Sequence, residues 1–483
     1  MYLWVVVVGG IGAVIASMGI GSNDAANAFA TSVGSKALTI RQASGLAVVF
    51  ESAGAILMGS HVTNTIRKGI SDYSCFEDDP ELLAYGCMWV IISVATWLFT
   101  ASYLEMPVST THSCVGGMIG MTIALKGTQC VIWTKEVSTF PYVGGVAGIV
   151  LSWFISPIFS SIIASFIYLL NRTLVLRRPF DSKMLIVVYP SLVGFTLVIN
   201  SFFIIYKGAK GLGLNKIDVG QAFAISFGIG SVGALITVPF IPYIKNYVNK
   251  KISNNPNIEE ISTTIENNQQ DYNINSEAEL KTVLEIHDKA EKFDPKIEET
   301  YKFLQVFSAV CDSFSHGAND VANAIGPFAA IYVIYRDNGV ITKKNDLGDD
   351  AYWILASGGV GIALGLLIYG KKIIRALGEK LCKITPSRGT CVELGSALVI
   401  ITGSRLKIPL STTHCQVGAE CGVALCEKHW KTAINKKILL KTVFGWVITC
   451  IFVGILSGVL TAQGAYSNQP KVLFLNNTNY TCL

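Results

Sequence analysis

Long apolar runs dominate the pattern of hydrophobic and polar positions along this chain of 483 residues. A helix that crosses a bilayer needs about 20 apolar residues. Runs of that kind lie near residues 4–31, 40–60, 84–104, 139–169, 184–206, 217–244, 303–335, 351–370, 389–404 and 438–463. Two shorter runs, near 107–125 and 409–426, each begin at a proline and are interpreted as re-entrant halves or full spans. The pattern predicts an all-α polytopic membrane protein with 10–12 transmembrane segments and broken or re-entrant helices.

Composition supports this class. Hydrophobic residues make up 51% of the chain and charged residues only 15%, against about 25% charged in an ordinary soluble domain. The net charge of +5 is small and spread over loops, so we expect no nucleic-acid partner. Neither a CxxC nor an HExxH spacing occurs among the 12 Cys and 6 His, which argues against a structural zinc or redox site. We expect no cofactor beyond a coupling ion.

The distribution of Lys and Arg predicts the orientation in the membrane, because such residues concentrate in cytosolic loops. Basic residues cluster at 171–183, 371–388 and 428–441. With these loops in the cytosol, the span count places both termini outside. The tail carries Asn-x-Thr sequons at Asn476 and Asn479, which glycosylation would use on the outer face. We expect an integral membrane glycoprotein, in the plasma membrane.

The same count divides the chain. We expect a first transmembrane repeat at 1–247, a largely disordered cytosolic linker at 248–300, a second repeat at 301–465, and an outer tail at 466–483. The linker is polar and rich in Asn, Glu and Lys, which favours disorder, with an amphipathic helix near Glu277–Phe293. Because the first half begins outside and the second inside, the two repeats are expected to be inverted, as in many secondary transporters.

An acidic, amide-rich motif occurs once in each half. It spans Gly19–Phe29 and returns as Gly317–Ile325. A carboxylate at bilayer depth is costly and is a functional-site hypothesis by default. The small flanking residues suit close helix packing or a locally opened backbone. Carboxylate and amide oxygens suit a hard cation such as Na⁺, so we predict Na⁺ at Asp24 and Asp320. The predicted cation-binding residues are Asn23, Asp24, Asn27, Asn319, Asp320 and Asn323.

A second motif is also duplicated. Pro107–His112 reads Pro-Val-Ser-Thr-Thr-His, and Pro409–His414 reads Pro-Leu-Ser-Thr-Thr-His. Proline followed by hydroxyl residues is typical of a helix start, and the free N–H groups of a helix N-terminus attract anions. The motif alone is also consistent with simple helix capping. Because it is duplicated, we predict two helix tips that close on a tetrahedral oxyanion. The predicted anion-binding residues are Ser109, Thr110, Thr111, Ser411, Thr412, Thr413, Asn27 and Asn323.

Phosphate is the expected anion. The spans contain almost no Lys or Arg, so helix ends and bound cations would neutralise it. A nearby carboxylate accepts a hydrogen bond from protonated phosphate and repels sulfate, which carries no proton. Anion and cation would each lower the cost of binding the other, which is a physical basis for coupling.

The four motif copies resemble the inorganic phosphate transporter (PiT) family of sodium–phosphate symporters. The resemblance covers roughly 1–247 and 301–465 and implies a cation-coupled phosphate symporter, not an enzyme, that is usually a homodimer. It also implies that Glu51 and Glu393 match membrane glutamates linked to transport. From the residues alone, these lone acids are either transport groups or structural partners of Ser or Lys.

Several alternatives remain open at this stage. A proton-coupled phosphate symporter and a passive phosphate channel fit the same motifs. An intramembrane aspartyl protease also needs two membrane carboxylates, but the matching Asn neighbours of Asp24 and Asp320 favour a symmetric ion cage. We interpret His112, His414 and His316 as structural, with proton coupling through the first two as the alternative.

The cysteines near the outer face form a further hypothesis. An extracellular face permits disulfides, but the sequence assigns no pairing among them. They are Cys75, Cys87, Cys130 and Cys482.

Overall fold

The computed structural model describes residues 3–138, 142–206, 217–254, 277–340, 347–348 and 350–466. These residues are mostly helical, and the one sheet among them is a two-stranded antiparallel hairpin of β1 (Lys135–Glu136) and β2 (Val143–Gly144). The predicted all-α fold is confirmed. The tail with both sequons and Cys482 lies outside the described residues.

The described residues up to Leu176 form six α-helices. The first helix continues through a π-helical turn into the second, and the sixth also ends in a π-helical turn. The elements are α1 (Leu3–Ile20), the π turn Gly21–Ala25, α2 (Ala26–Gly34), α3 (Ile40–Gly69), α4 (Pro80–Tyr103), α5 (Thr110–Lys126), α6 (Gly145–Asn171) and the π turn Arg172–Leu176.

The described residues from Met184 onward form ten α-helices. They are α7 (Met184–Ile205), α8 (Val219–Thr237), α9 (Phe240–Asn254), α10 (Glu277–Lys289), α11 (Pro295–Arg336), α12 (Asp350–Tyr369), α13 (Lys371–Lys380), α14 (Pro386–Arg405), α15 (Thr412–Leu425) and α16 (Lys436–Tyr466). Short 3₁₀ turns lie at Tyr73–Phe76, Thr128–Cys130 and Trp430–Thr432.

Eight helical stretches in the described part are long and apolar enough to cross a membrane. They correspond to α1 with its π turn, α3, α4, α6, α7, α8, α12 and α16. The polar-rich helices α11 and α14 pack among them, as do the short helices α5 and α15, which start at the proline-led motifs. The run predicted at 217–244 forms two helices, α8 and α9.

The outer helices present apolar side chains to their surroundings. On α6, the exposed stripe consists of Phe154, Ile158, Ile162 and Phe166, each more than half exposed and four residues from the next. Exposed apolar surface on this scale is typical of a lipid-facing helix. By contrast, α11 is buried along most of its length. The functional motifs therefore lie in the interior of a helical bundle.

Helices α3 and α11 approach each other closely. A Cβ at Gly317 would lie 2.2 Å from the carbonyl oxygen of Glu51, and a Cβ at Gly54 would lie 2.0 Å from that of Phe314. Only glycine fits at these two crossings, as in other tightly packed membrane helices. This contact brings Glu51 of α3 beside the second acidic motif.

The structure decides between two alternatives at the second acidic motif. Its small residues suit close packing or an opened backbone, and α11 runs without a break from Pro295 to Arg336. The first copy contains a π-helical turn and no loop. In the second copy the glycine serves the close packing against α3, and the alanines around it favour helix. At this copy the polar groups are therefore presented by side chains and not by an opened backbone.

Parts of the predicted linker are ordered helices. Helix α9 extends to Asn254, and the amphipathic helix expected near Glu277–Phe293 is α10, which ends at Lys289. Its apolar side chains Leu280, Val283 and Ile286 are buried, which offsets the entropy of ordering the segment. The central part of the predicted linker, residues 255–276, lies outside the described residues.

Cys75 and Cys130 form a disulfide that joins the segment before α4 to the turn after α5. The segment after α3 also pairs with the same turn through a β-bridge between Ser71 and Val131. Cys87 is free and buried in α4. The pairing links two of the four cysteines expected near the outer face.

Candidate functional site

The two proline-led motifs form matching helix tips. Ser109 caps α5, with its hydroxyl accepting from the backbone N–H of His112 at 3.4 Å. Ser411 caps α15 and accepts from the N–H of His414 at 3.3 Å. Both caps are buried. The same Ser-Thr-Thr sequence thus builds the same helix start twice, as N-capping by serine requires.

The two tips touch. Ser411 Oγ donates to Ser109 Oγ at 2.8 Å. Thr111 Oγ1 donates to the carbonyl of Leu410 at 2.8 Å, and Thr413 Oγ1 donates to the carbonyl of Val108 at 3.2 Å. The structure therefore brings together all six hydroxyl residues that the sequence singled out, in two helices separated by about 300 residues.

Asp24 and Asn23 of the first acidic motif hold the first tip. Oδ2 of Asp24 accepts from the N–H of Thr110 at 3.1 Å and from its hydroxyl at 2.7 Å. Asn23 accepts from the N–H of Val108 at 3.0 Å and donates to the carbonyl of Met106 and to Ser102 Oγ. The π-helical turn directs these two side chains toward the segment that precedes α5. Such turns are frequent at functional sites.

Asn319 and Asp320 hold the second tip in a related way. Thr412 Oγ1 donates to Oδ2 of Asp320 at 2.5 Å. Asn319 donates to the carbonyl of Leu410 at 2.9 Å and accepts from Ser404 Oγ at 3.3 Å. Ser404 therefore contacts Asn319 at the second tip as Ser102 contacts Asn23 at the first.

A short chain of hydrogen bonds connects the two aspartates. Thr110 Oγ1 donates to Asp24 and accepts from Nδ2 of Asn323 at 3.0 Å. The same Nδ2 lies 3.2 Å from Thr111 Oγ1 and 3.3 Å from Oδ1 of Asp320. Both acidic motifs and both tips thus share one buried cluster.

Two oxygen atoms of this cluster are buried and accept no hydrogen bond within the described residues. They are Oδ1 of Asp24 and Oδ1 of Asn323. A buried oxygen without a donor is unfavourable, and a hard cation satisfies such oxygens. The side chain of Asn27 lies outside the described part of the structure. No group of three or more His, Cys, Asp and Glu in the described residues is arranged to hold a metal, so a cation here would rely on carboxamide, hydroxyl and carbonyl oxygens as well.

His316 links Glu51 to Asp320. Its Nδ1 lies 2.8 Å from Oε2 of Glu51, and its Nε2 lies 2.9 Å from Oδ2 of Asp320. Ser313 also donates to Glu51 at 3.1 Å. The hydrogen bond between Nδ1 and Glu51 needs one proton, whereas Nε2 lies at ion-pair distance from Asp320 without hydrogen-bond geometry. We expected His316 to be structural. Its position between two acids indicates a more specific role, which is to link Glu51 to Asp320.

Glu393 lies at a different junction, between α2 and α11. Its carboxylate accepts from Thr31 and Ser32, each at 2.6 Å, from Gln305 at 3.3 Å, and from Ser308. This side chain is fully buried with four donors. It therefore ties the helix after the first acidic motif to the helix that carries the second.

The histidines of the tips pack against tryptophans. The ring of His112 stacks on Trp153 with a centroid distance of 3.5 Å, and the ring of His414 lies 3.6 Å from that of Trp446. His414 Nδ1 also lies 2.8 Å from the carbonyl oxygen of Trp153. These contacts support the interpretation that both histidines position the tips.

Sequence reasoning missed two further buried acids. Asp312 lies four residues before His316 on α11, and Glu420 on α15 accepts from Gln416 at 3.3 Å. The signal for Asp312 was present, because Asp312, His316 and Asp320 recur every four residues and share one helix face. Buried acids are costly in membrane helices, so both positions are informative.

The comparisons with known proteins identify the family of this chain. The model of the phosphate transporter family matches residues 20–457. A phosphate-repressible phosphate permease of Neurospora crassa is 29% identical, with 97% of this chain and 98% of that protein covered. A sodium-dependent phosphate transporter 1 of Rattus norvegicus is 24% identical, with 95% of each chain covered.

A solved structure titled "The sodium-dependent phosphate transporter" is also similar. Its TM-score is 0.76 at 29% identity, with 95% of this chain and 98% of that chain covered. The resemblance noted in the sequence is confirmed. Its relatives are transporters and permeases, so the protease hypothesis is set aside. The family match includes the first acidic motif from Ile20 onward, the second acidic motif, both helix tips and most of the apolar helices after α1, and the chain is therefore an integral membrane protein of the phosphate transporter family.

Proposed function

We propose that this phosphate transporter is a cation-coupled symporter, driven by Na⁺, that binds phosphate between the tips of α5 and α15. The observation that carries the proposal is the contact of the two Ser-capped tips beside two buried aspartates. Helix N-termini and hydroxyls are the donors that a phosphate ion needs when no Lys or Arg is present.

The hydrogen bonds suggest how the anion enters. Thr110 and Thr412 now donate to Asp24 and Asp320. A phosphate oxygen is an equivalent acceptor, so on binding the hydroxyls turn from the carboxylates to the anion. One carboxylate that remains close accepts a hydrogen bond from the protonated phosphate, and this favours phosphate over sulfate.

The cation follows from the same exchange. Asp24 already has one oxygen without a donor, and it loses two more donors when Thr110 turns to phosphate. A buried carboxylate without donors binds a cation strongly. We place Na⁺ at Oδ1 of Asp24 and Oδ1 of Asn323, with Asn23, Asn27 and Asn319 as supporting residues. Phosphate binding would thus create much of the cation site.

Asp320 has a different role from Asp24 in this proposal. Its Oδ1 accepts from Asn319 and Asn323, and its Oδ2 contacts Thr412 and His316. It is a weaker cation ligand than Asp24 because its oxygens already have partners. We propose that Na⁺ reaches Asp320 only after Thr412 has turned to phosphate.

The larger architecture is part of the proposal. The paired contacts Asn23–Ser102 and Asn319–Ser404 support two related repeats. We propose that the repeats are inverted and that alternating access moves the cluster between the two faces. The plasma membrane, outer termini, glycosylated tail, cytosolic linker and homodimer belong to the same proposal.

Proton coupling is the second candidate, and one observation favours it. The chain Glu51–His316–Asp320 holds a proton beside the second tip, so a proton could take the place of one Na⁺. A passive phosphate channel shares the tips but needs no coupling ion.

Uptake of radiolabelled phosphate into proteoliposomes tests these functions. We expect phosphate to accumulate above equilibrium when Na⁺ is outside, and accumulation to cease when choline replaces Na⁺ at each of two pH values. Accumulation that persists in choline and follows a pH gradient identifies the proton symporter. Equilibration without accumulation identifies the channel and contradicts the proposal.

A further inference from the structure

A basic cavity of about 460 Å³ lies far along α15 from the phosphate-binding tip. It forms where the π turn after α6, the segment after α10 and the end of α15 meet. Its charged wall consists of Arg172, Arg177, Lys289, Glu291, Lys428 and His429. On the proposed orientation the cavity opens to the cytosol.

The positive charge of this cavity exceeds what Glu291 can neutralise. Arg177 donates to Glu291 at 2.7 and 2.9 Å, and these bonds hold the pKa of Glu291 below its usual range. Glu291 also lies 4.0 Å from Arg172, so one carboxylate faces two guanidinium groups. Lys289 pairs with Glu285 on the exposed face of α10, and such a surface pair is weak. Lys428 adds a further positive charge to the wall.

Arg172 is the second indication of a ligand. Its side chain is mostly buried, with Nη1 donating to the carbonyl of Cys426. Its Nε is buried and has no hydrogen-bond partner within the described residues. Arg172 lines the cavity and carries more donors than the protein satisfies, so an anion bound in the cavity gains a charge-assisted donor from this guanidinium.

The surroundings add to the positive charge. Lys383 and Lys289 line a smaller adjoining cavity. Burial and the nearby Arg388 lower the pKa of Lys383 to about 8. Burial is the larger cause of this shift and repulsion by Arg388 adds to it, so Lys383 and Arg388 place further positive charge beside the cavity.

The size and lining of the cavity indicate the chemical class. A volume of about 460 Å³ accommodates a small organic ligand and exceeds what one phosphate ion needs. His429 is the one ring on the described wall. The wall therefore offers more charged contacts to phosphoryl groups than aromatic surface to a nucleobase.

We propose that this cavity binds a polyphosphorylated ligand without a nucleobase, such as an inositol polyphosphate or the equivalent lipid headgroup. The ligand bridges α10 and the end of α15. Glu291, just after α10, already contacts this region. Its N–H donates to Glu427, which follows α15, and its carbonyl accepts from Arg388 of α14. Since α15 begins at the phosphate-binding tip, the site gives the linker a means to restrain that helix.

The test uses the purified full-length protein and inositol hexakisphosphate as the probe. We expect saturable binding by calorimetry and a rise in melting temperature with probe concentration. The variant Lys289→Gln/Lys428→Gln should bind at least about tenfold more weakly, because it loses two charged contacts. The matched control is Lys436→Gln/Lys437→Gln, which removes two exposed lysines outside the cavity wall.

The outcomes separate the hypotheses. If probe binding weakens equally in both double variants, the attraction is nonspecific and the proposal is wrong. The proposal is also wrong if ATP binds as tightly as the probe.

A second experiment uses nanodiscs with and without phosphatidylinositol 4,5-bisphosphate. Binding of the soluble probe supports a free ligand, and stabilisation by the lipid alone supports a lipid headgroup. If neither effect is observed, the proposed site is contradicted. The exposed single variant Lys428→Gln replaces the double variant if the latter does not fold. Phosphate uptake does not enter this test, so its outcome is independent of the proposed symport.

Discussion

The two copies of the acidic motif have nearly the same sequence and different structures. Asp24 lies in a π-helical turn, whereas Asp320 lies inside the unbroken helix α11. Asp24 has one oxygen without a donor, while both oxygens of Asp320 have partners. The duplicated sequence thus places an aspartate at each helix tip, and the surroundings give each aspartate its own chemistry.

One residue accounts for much of the difference. Four residues before each aspartate stands Ile20 in the first copy and His316 in the second. His316 contacts Oδ2 of Asp320 and Oε2 of Glu51 and so connects the two acids. An isoleucine side chain has no polar atom and makes neither contact. The expected symmetric ion cage is therefore asymmetric in its partners. We interpret the first copy as the principal cation site and the second as a proton-holding support.

The largest effect is expected from His316→Ala. The change leaves Glu51 and Asp320 buried without the imidazole between them, and breaking a buried ionic contact costs about 3–5 kcal/mol. We expect a large fall in melting temperature and complete loss of phosphate uptake. Ile20→Val at the matched position should cost only about 0.5–1.5 kcal/mol. Similar losses from both substitutions would contradict the asymmetry.

Asp24→Asn should abolish uptake while leaving the fold intact. The carboxamide keeps an oxygen for Thr110 but removes the charge that binds Na⁺, so we expect at least about a 100-fold fall in Na⁺-dependent uptake. Asp320→Asn should instead lower the melting temperature, because Asp320 is held by four partners. Near-normal Na⁺ dependence in Asp24→Asn would show that the first copy is not the cation site.

Glu393→Gln tests the connection between the two copies. Glu393 joins Thr31 and Ser32 of α2 to Ser308 of α11. A carboxamide replaces one acceptor oxygen by a donor that faces hydroxyl donors, at a cost of about 1–3 kcal/mol. We expect uptake to fall about 10-fold or more, with phosphate binding by calorimetry less affected.

A matched control for Glu393→Gln is Ser35→Ala. Ser35 donates to Gln305, next to Glu393, and does not contact the carboxylate itself. It should retain most of the uptake. If Ser35→Ala reduces uptake as strongly as Glu393→Gln, the effect belongs to the general packing of α2 and not to Glu393.

The sequence predicted the parts of this site that are local or duplicated. Apolar runs identified the spans, and the repeated Pro-x-Ser-Thr-Thr motif predicted two helix tips that lie together. Glu51 and His316 are 265 residues apart, and no pattern in the chain relates them. Their contact depends on how α3 crosses α11 at Gly54 and Gly317, which only the packed helices reveal.

Two other features also required the structure. The small residues around Asn319 are compatible with a break or with tight packing, and the close approach of α3 decides for packing. The pairing of Cys75 with Cys130 depends on the proximity of two turns that are 55 residues apart, which spacing alone does not give. In both cases the sequence offered alternatives that differ only in tertiary contacts.

The smallest effects are expected at the symmetric part of the site, the capping serines. Ser109→Ala and Ser411→Ala should each cost about 1 kcal/mol in helix capping and raise the half-saturation concentration for phosphate a few-fold. Because the two hydroxyls share one hydrogen bond, the double variant should show less than the sum of the single effects. Phosphate-dependent uptake at saturating Na⁺ measures all three variants. Full additivity, or a half-saturation concentration unchanged in both single variants, would mean that the tips do not act on phosphate together, and the comparison of the two copies would then rest on the aspartates alone.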